Sequence, residues 1–202
     1  MAQIKDIESL RNTLKNVIKY FTDIPEYQLD ELAVCFSYKT FKKNEVIISP
    51  DSKHHNLYFI LNGLVSIYYL AEGKEIISDF KEPNSFFING YTLFTGLPNI
   101  DYHIALETTE CLVADYNAIE NLSTKYHSIE HLGRKMVESY YASFLITNYN
   151  KLFLSADERF DIFMKERGNL MNRVLLRHIA SYLGIKPETL SRIRAKQQTI
   201  KN

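Results

Sequence analysis

The stretch Leu176–Ala195, LRHIASYLGIKPETLSRIRA, constrains the fold more than any other part of this chain. Ile179 and Leu183 share one face of a first helix, and Leu190 and Ile193 fall on the inner face of a second. Ala180 is small where two helices must approach closely. Gly184 stands at the turn, where a residue without Cβ adopts a left-handed conformation at no steric cost, and Ile185 plugs that turn. The second helix opens at Lys186-Pro187-Glu188. Proline is tolerated there because a first-turn N–H has no partner in any case, and Glu188 lies near the positive end of the helix dipole. Lys186 is a poor cap. The pattern reads as a helix-turn-helix that leaves Glu188, Thr189, Ser191, Arg192, Arg194 and Ala195 facing outward.

In such a motif the second helix, here about 187–196, enters the major groove of double-stranded DNA. Arg192 suits paired donation to guanine O6 and N7, and Glu188 suits acceptance from cytosine N4. Thr189, Ser191, Arg194 and Lys196 suit phosphate oxygens, and a phosphate contact would offset the unfavourable position of Lys186. The plain alternative is a helical hairpin used for packing alone. The ordered Ala/Gly/apolar series together with the charge favours the first reading, although charge alone suits a solvated basic helix equally well. Residues 1–162 hold 15 basic and 22 acidic side chains, whereas residues 163–202 hold 9 basic and 2 acidic ones. A basic tail on an acidic body points to a polyanionic partner, since Lys and Arg release condensed counterions when they neutralise phosphates.

Upstream, two textures alternate. Ile4, Ile7, Leu10, Leu14, Val17 and Ile18 mark an amphipathic helix over about 3–20. A short helix follows over Pro25–Cys35, with Thr22 or Asp23 as its cap. From about 36 to 117 the chain breaks into β-prone runs. Asn62-Gly63 between two such runs predicts a type I′ hairpin, with positive φ at both residues, and Glu72-Gly73 predicts a second hairpin. Further strands are expected at 45–48, 85–88, 103–107 and 111–115, which suits a small antiparallel barrel or jelly roll. After 117 the chain is helical. A short helix begins at Asn117 or Asn121, a long one runs over about 128–152, and Ser155–Glu158 starts another that Gly168 closes. Leu132, Met136, Tyr140 and Phe144 on the long helix form a stripe suited to a second copy of the chain, with packing in its own domain as the alternative.

These residues together carry a family resemblance. The series Ser155-Ala-Asp-Glu-Arg159-Phe, Ile179-Ala-Ser-Tyr-Leu-Gly184 and Pro187-Glu-Thr-Leu-Ser-Arg192-Ile-Arg194 resembles the Crp/Fnr family of bacterial transcription regulators. The resemblance implies an α+β chain. An antiparallel β-roll of the jelly-roll, cyclic-nucleotide-binding-like kind is flanked by helices over 1–127, a long dimerisation helix spans 128–152, and an all-α helix-turn-helix domain covers 153–202. It also implies a homodimer on a near-palindromic site. RNA polymerase and a small-molecule effector are further partners that such a regulator takes.

The sequence departs from that family in two places. Members that sense cyclic AMP hold its ribose with a Gly-Glu pair and its phosphate with an Arg-Ser pair. Here Gly90, followed by Tyr91, stands at the glutamate position, and Ile100 and Asp101 replace the arginine and serine. A phosphate site that exchanges a guanidinium for a carboxylate repels the anion, so no cyclic nucleotide is expected by the usual contacts. Tyr91, Phe94, Tyr102 and His103 are candidates to line an apolar cavity, with ordinary core packing as the alternative. The sequence given stops soon after the recognition helix, and Thr199–Asn202 offers only a stub where many members carry a wing.

Other functions find little support. No apolar run reaches the roughly 18 residues that span a bilayer, and the first residues lack a signal-peptide core, so a cytoplasmic protein is expected. The two cysteines, Cys35 and Cys111, are too few for a four-cysteine cluster. His54-His55 reads as a surface loop rather than a metal site, and no nucleophile–base pair or phosphate loop marks an enzyme or a cofactor. The reading opposed to a DNA-binding regulator is a small-molecule-binding signalling module of the same fold with weak DNA binding.

Overall fold

The computed structural model describes residues 6–52 and 54–200, with side chains described as far as Gln197. The chain divides into two units. One comprises the chain to Ile67 with Phe80–Ser139, the other Tyr68–Asp79 with the chain from Tyr140.

Two helices open the first unit. Helix α1 (Ile7–Ile18) starts where the Asp6 carboxylate accepts from the Glu8 N–H, and residues 3–5, including Ile4 of the expected stripe, lie outside the described residues. Helix α2 (Glu26–Val34) has Pro25 itself as its cap residue. Neither Thr22 nor Asp23 caps it, because proline's fixed φ already sets the entry of the chain. Lys15 joins the two helices, its ammonium 2.7 Å from Asp30 and 3.1 Å from Glu26.

Eight strands follow: β1 (Ser37–Phe41), β2 (Val46–Ile48), β3 (Asn56–Asn62), β4 (Val65–Ala71), β5 (Lys74–Lys81), β6 (Phe86–Phe87), β7 (Asp101–Ala105) and β8 (Thr109–Asp115). They form two four-stranded sheets in the orders β1-β8-β3-β6 and β2-β7-β4-β5. The sequence pattern missed β1, four of whose five residues are exposed, so no alternation marks it. In the first sheet β8 pairs antiparallel with β1 and with β3, where Tyr58 lies opposite Val113 and Phe59 opposite Leu112.

That sheet is covered on both faces, which is why β3 and β8 read as near-continuous apolar runs. Phe59 and Leu112 pack with Leu14, Leu29, Phe36, Ile129 and Leu132. Their neighbours Tyr58, Ile60 and Cys111 point the other way, toward Phe41, Ile48, Val65 and Phe87. Tyr58 stacks on Phe87 with ring centroids 4.6 Å apart. Each large side chain enclosed in this way contributes about 1.5–3 kcal/mol. Burial pushes the Cys111 thiol up to about 12, so this cysteine is a core residue and not a nucleophile.

The Asn62-Gly63 hairpin expectation is overturned. β3 and β4 belong to different sheets, and of the two residues only Gly63 has positive φ, at 105°. The chain crosses between sheets there. A Cβ on Gly63 would sit 2.5 Å from Thr109 Oγ1 and 2.6 Å from its Cα, so glycine is fixed by close approach as well as by φ. The left-handed pair lies instead at Glu72 and Gly73, φ 52° and 74°, joining β4 to β5.

A short helix the sequence pattern missed, α3 (Gly90–Thr95), follows Asn89, whose side chain accepts from the Thr92 N–H. Helix α4 (Tyr116–Lys125) is capped by Asp115, not by Asn117 or Asn121. The long helix α5 (His127–Phe153) comes next.

In the second unit, α6 (Ala156–Arg167) begins with the expected Ser155–Glu158 capping box. Gly168 ends it in a right-handed conformation, and a 3₁₀ turn over Gly168–Asn172 continues the chain instead of a reversal. Helices α7 (Leu176–Leu183) and α8 (Pro187–Ile200) complete the unit. Its buried residues include Phe160, Phe163, Leu170, Ile179, Ala180, Leu183, Leu190 and Ile193. Helix α8 runs past the expected 196; Thr199 and Ile200 belong to it, while Lys201 and Asn202 of the expected stub lie outside the described residues. Among the described residues no helix is long and apolar enough to cross a membrane.

Candidate nucleic-acid interface

Helix α7 ends because Gly184 turns left-handed at φ 66°. The Ile185 N–H then donates to the Ala180 carbonyl at 3.0 Å, and the Gly184 N–H to the Ser181 carbonyl at 3.0 Å. This is a Schellman closure, which pairs carbonyls that the helix end would otherwise leave open. No side chain crowds the Cβ position of Gly184, so the backbone conformation alone demands glycine. Ile179, Ala180, Leu183, Leu190 and Ile193 are all buried, and they hold α8 against α7 in a helix-turn-helix.

With Leu190 and Ile193 turned inward, Lys186, Glu188, Ser191, Arg192 and Lys196 are exposed, while Thr189 and Arg194 are half-buried. The first two turns of α8 therefore carry Glu188, Ser191 and Arg192 on its open side. The second half is tied to α6: Lys196 lies 3.2 Å from Asp157, and Gln197 donates to Asp161.

Residues that sequence reasoning missed hold α7 from outside. The hairpin segment Tyr68–Asp79 belongs to this unit. The Ile77 N–H donates to Ser181 Oγ at 2.9 Å, and Ser181 Oγ donates to the Glu75 carbonyl at 3.3 Å. One hydroxyl thus does for a strand edge what a neighbouring strand would do. His178 Nε2 lies 3.0 Å from the Glu75 carboxylate, and Arg167 donates to Asp79 at 2.9 Å. Burial lowers the His178 pKa, Arg177 adds to that, and Glu75 opposes it. No sequence signal marks these pairs, because their members are about a hundred positions apart.

The other predicted residues fall in separate places. Leu132 is enclosed in the core of the first unit and Met136 packs against the same cluster, so Leu132 is removed from the expected dimer stripe. Tyr140 and Phe144 are exposed at 61% and 54%, and they continue into exposed Leu145, Tyr149, Leu152 and Phe153. In the β-roll, Gly90 and Tyr91 open α3, Ile100 is exposed, and Asp101 begins β7 with its carboxylate 3.3 Å from His103 Nε2. Phe94 is 63% exposed, whereas His103 is buried beside Phe87 at 5.5 Å between ring centroids. Asn89 and His103 are almost fully buried, yet Asn89 Nδ2 and His103 Nδ1 have no hydrogen-bond partner. The sequence carries no lysine or arginine from Glu82 to Thr124. A cyclic phosphate therefore finds no cation on α3 or β7, and the Asp101 carboxylate opposes it there.

Residues 38–126 match the family of cyclic nucleotide-binding domains. Solved structures match over most of the chain. FixK2 from Bradyrhizobium japonicum has 20% identity and a TM-score of 0.71, covering 82% of this chain and 86% of its own. A protein from Eubacterium rectale assigned to the Crp/Fnr family of transcriptional regulators has 14% identity and a TM-score of 0.65, covering 88% and 85%. This chain has the Crp/Fnr fold. The c-di-GMP responsive global regulator CLP of Xanthomonas campestris shares it, with 14% identity, a TM-score of 0.68 and coverage of 88% and 93%. No curated protein matches the chain by sequence.

Proposed function

We propose that this chain is a sequence-specific DNA-binding transcription regulator that acts as a homodimer, with α8 in the major groove. The observation that carries this reading is the orientation of α8. Its apolar residues Leu190 and Ile193 are buried against α7, which leaves Glu188, Ser191 and Arg192 exposed near the start of the helix. The excess of basic over acidic residues after position 162 supports a phosphate-bearing partner. Arg192 and Glu188 read base edges; Lys186, Thr189, Ser191, Arg194 and Lys196 position the helix on the backbone, Lys196 exchanging Asp157 for a phosphate. The exposed aromatic face of α5 around Tyr140 and Phe144 receives the second protomer. The relatives named as regulators support a regulatory role rather than catalysis.

The test is binding of the purified protein to duplex DNA across a salt series. Affinity falls steeply between low and moderate salt if α8 and its flanks neutralise phosphates. A salt-independent affinity, or a monomer on light scattering, removes the proposal. The β-roll reading is separate. Calorimetric titration with cyclic AMP and cyclic GMP is expected to give no heat of binding, and micromolar binding by either refutes it.

A further inference from the structure

Within the second unit, α5, α6 and α7 line a partly open pocket of about 70 Å³. Asn150 and Lys151, Arg159 and Arg167, and Tyr182 are among its lining residues. The cavity presents more positive charge than its own residues balance. Arg167 is matched by Asp79 at 2.9 Å. Arg159 uses Nη1 to close the end of α5, donating to the Lys151 carbonyl at 2.9 Å and the Leu154 carbonyl at 3.1 Å, but its Nε is buried with no partner. Lys151 Nζ lies 5.7 Å from the centre of the Tyr182 ring and, among the described residues, forms no ion pair. Burial around the amino group lowers the Lys151 pKa, and Arg159 also lowers it against the attraction of Asp79. Glu166 is the one carboxylate in the lining.

Arg159 Nε is a buried donor without a partner, and Lys151, whose side chain stays exposed, adds a second positive charge to the same lining, so an oxyanion there would gain an acceptor's place as well as two cations. The cavity volume sets the size of that anion. About 10–15 Å³ holds a single water, so the interior of the pocket suits a group of a few heavy atoms.

We propose that this pocket binds an oxyanion, a phosphate or carboxylate group of a small molecule, held by Lys151 and by Nε of Arg159 beside the Tyr182 ring. It is a second effector position, built into the unit that carries α8 and separate from the β-roll. It stands whether or not α8 reads DNA.

The test is isothermal titration of the full chain at constant ionic strength with two probes, inorganic phosphate and benzoate, which separate the two head groups. One of them binds saturably at one site per protomer. Lys151→Met weakens that binding by about tenfold or more, the loss of one charge-assisted hydrogen bond, whereas Lys151→Arg retains it. Arg192→Ala leaves it unchanged. Absence of saturable binding by both probes overturns the proposal. So does wild-type affinity in Lys151→Met, or a loss that follows Arg192→Ala and so assigns the anion to α8. Should Lys151→Met fail to fold, amide shifts of the wild-type protein on titration decide: shifts centred on Asn150, Lys151 and Tyr182 uphold the site, and shifts confined to 186–196 sink it.

Discussion

The β-roll and the helix-turn-helix treat buried polar groups in opposite ways. In the β-roll, Ser66 Oγ, Asn89 Nδ2 and His103 Nδ1 are buried without hydrogen-bond partners. Around α7, Ser181, His178 and Arg167 each meet a matched group on the segment Tyr68–Asp79. Unmet capacity marks a place where water or a ligand gains most, and met capacity marks a scaffold that holds one shape. The difference assigns adaptability to the β-roll and rigidity to the helices that present α8. An exception within the second unit is the Nε of Arg159, a residue that lines the cationic pocket.

The largest expected effect tests the frame of the β-roll. Gly63→Val places a branched side chain against the backbone of Thr109 at positive φ, and denaturant unfolding should show a loss of about 3–5 kcal/mol from overpacking and backbone strain together. A loss under ~1 kcal/mol would mean that the sheet crossing is looser than its contacts state.

On the other side of the comparison, Arg192→Ala should cost about 1–3 kcal/mol of discrimination between a selected site and random duplex, while much of the nonspecific affinity survives. Competition binding reads both quantities. An equal loss on both sequences would make Arg192 a phosphate contact.

The tie to the hairpin segment should be worth less. Ser181→Ala leaves the Ile77 N–H and the Glu75 carbonyl without the bridging hydroxyl, and about 1–2 kcal/mol of unfolding free energy should go with it. Unchanged stability would show that water replaces the hydroxyl, and would erase the contrast with the β-roll.

The smallest effect is in pH. The folded-state pKa of His178 is lowered below its ordinary 6.5. Above that value the imidazole is neutral in both states. As pH falls below it the unfolded chain takes up a proton that the folded chain resists, so stability declines there. Denaturation from pH 7 to pH 5 should show this decline in the wild type and a shallower one in His178→Gln. Parallel curves would exclude His178 as the cause.

Much of the helix-turn-helix was legible in the sequence because its signals are local. The order Ile179, Ala180, Leu183, Gly184, Leu190, Ile193 states a helix, a turn and a second helix within fifteen positions, and a single left-handed glycine fixes the turn. The Ser155–Glu158 box was equally local. The β-roll was legible as a texture of strands but not as a pairing. Asn62-Gly63 has hairpin composition, yet the chain crosses between sheets there, because strand partners are chosen by which faces bury together. Strand β1 and helix α3 escaped notice for the same reason, with too little apolar alternation of their own.

By itself the sequence determined the kinds of element, the helix-turn-helix and the concentration of positive charge at one end, since each follows from neighbours a few residues apart. Only the tertiary structure decided that Leu132 is core, that Ser181 and His178 answer Glu75 and Ile77, and that Lys151 and Arg159 share a cavity with Tyr182. Those outcomes join positions far apart along the chain, and it is packing, through excluded volume and desolvation, that sets which distant groups meet.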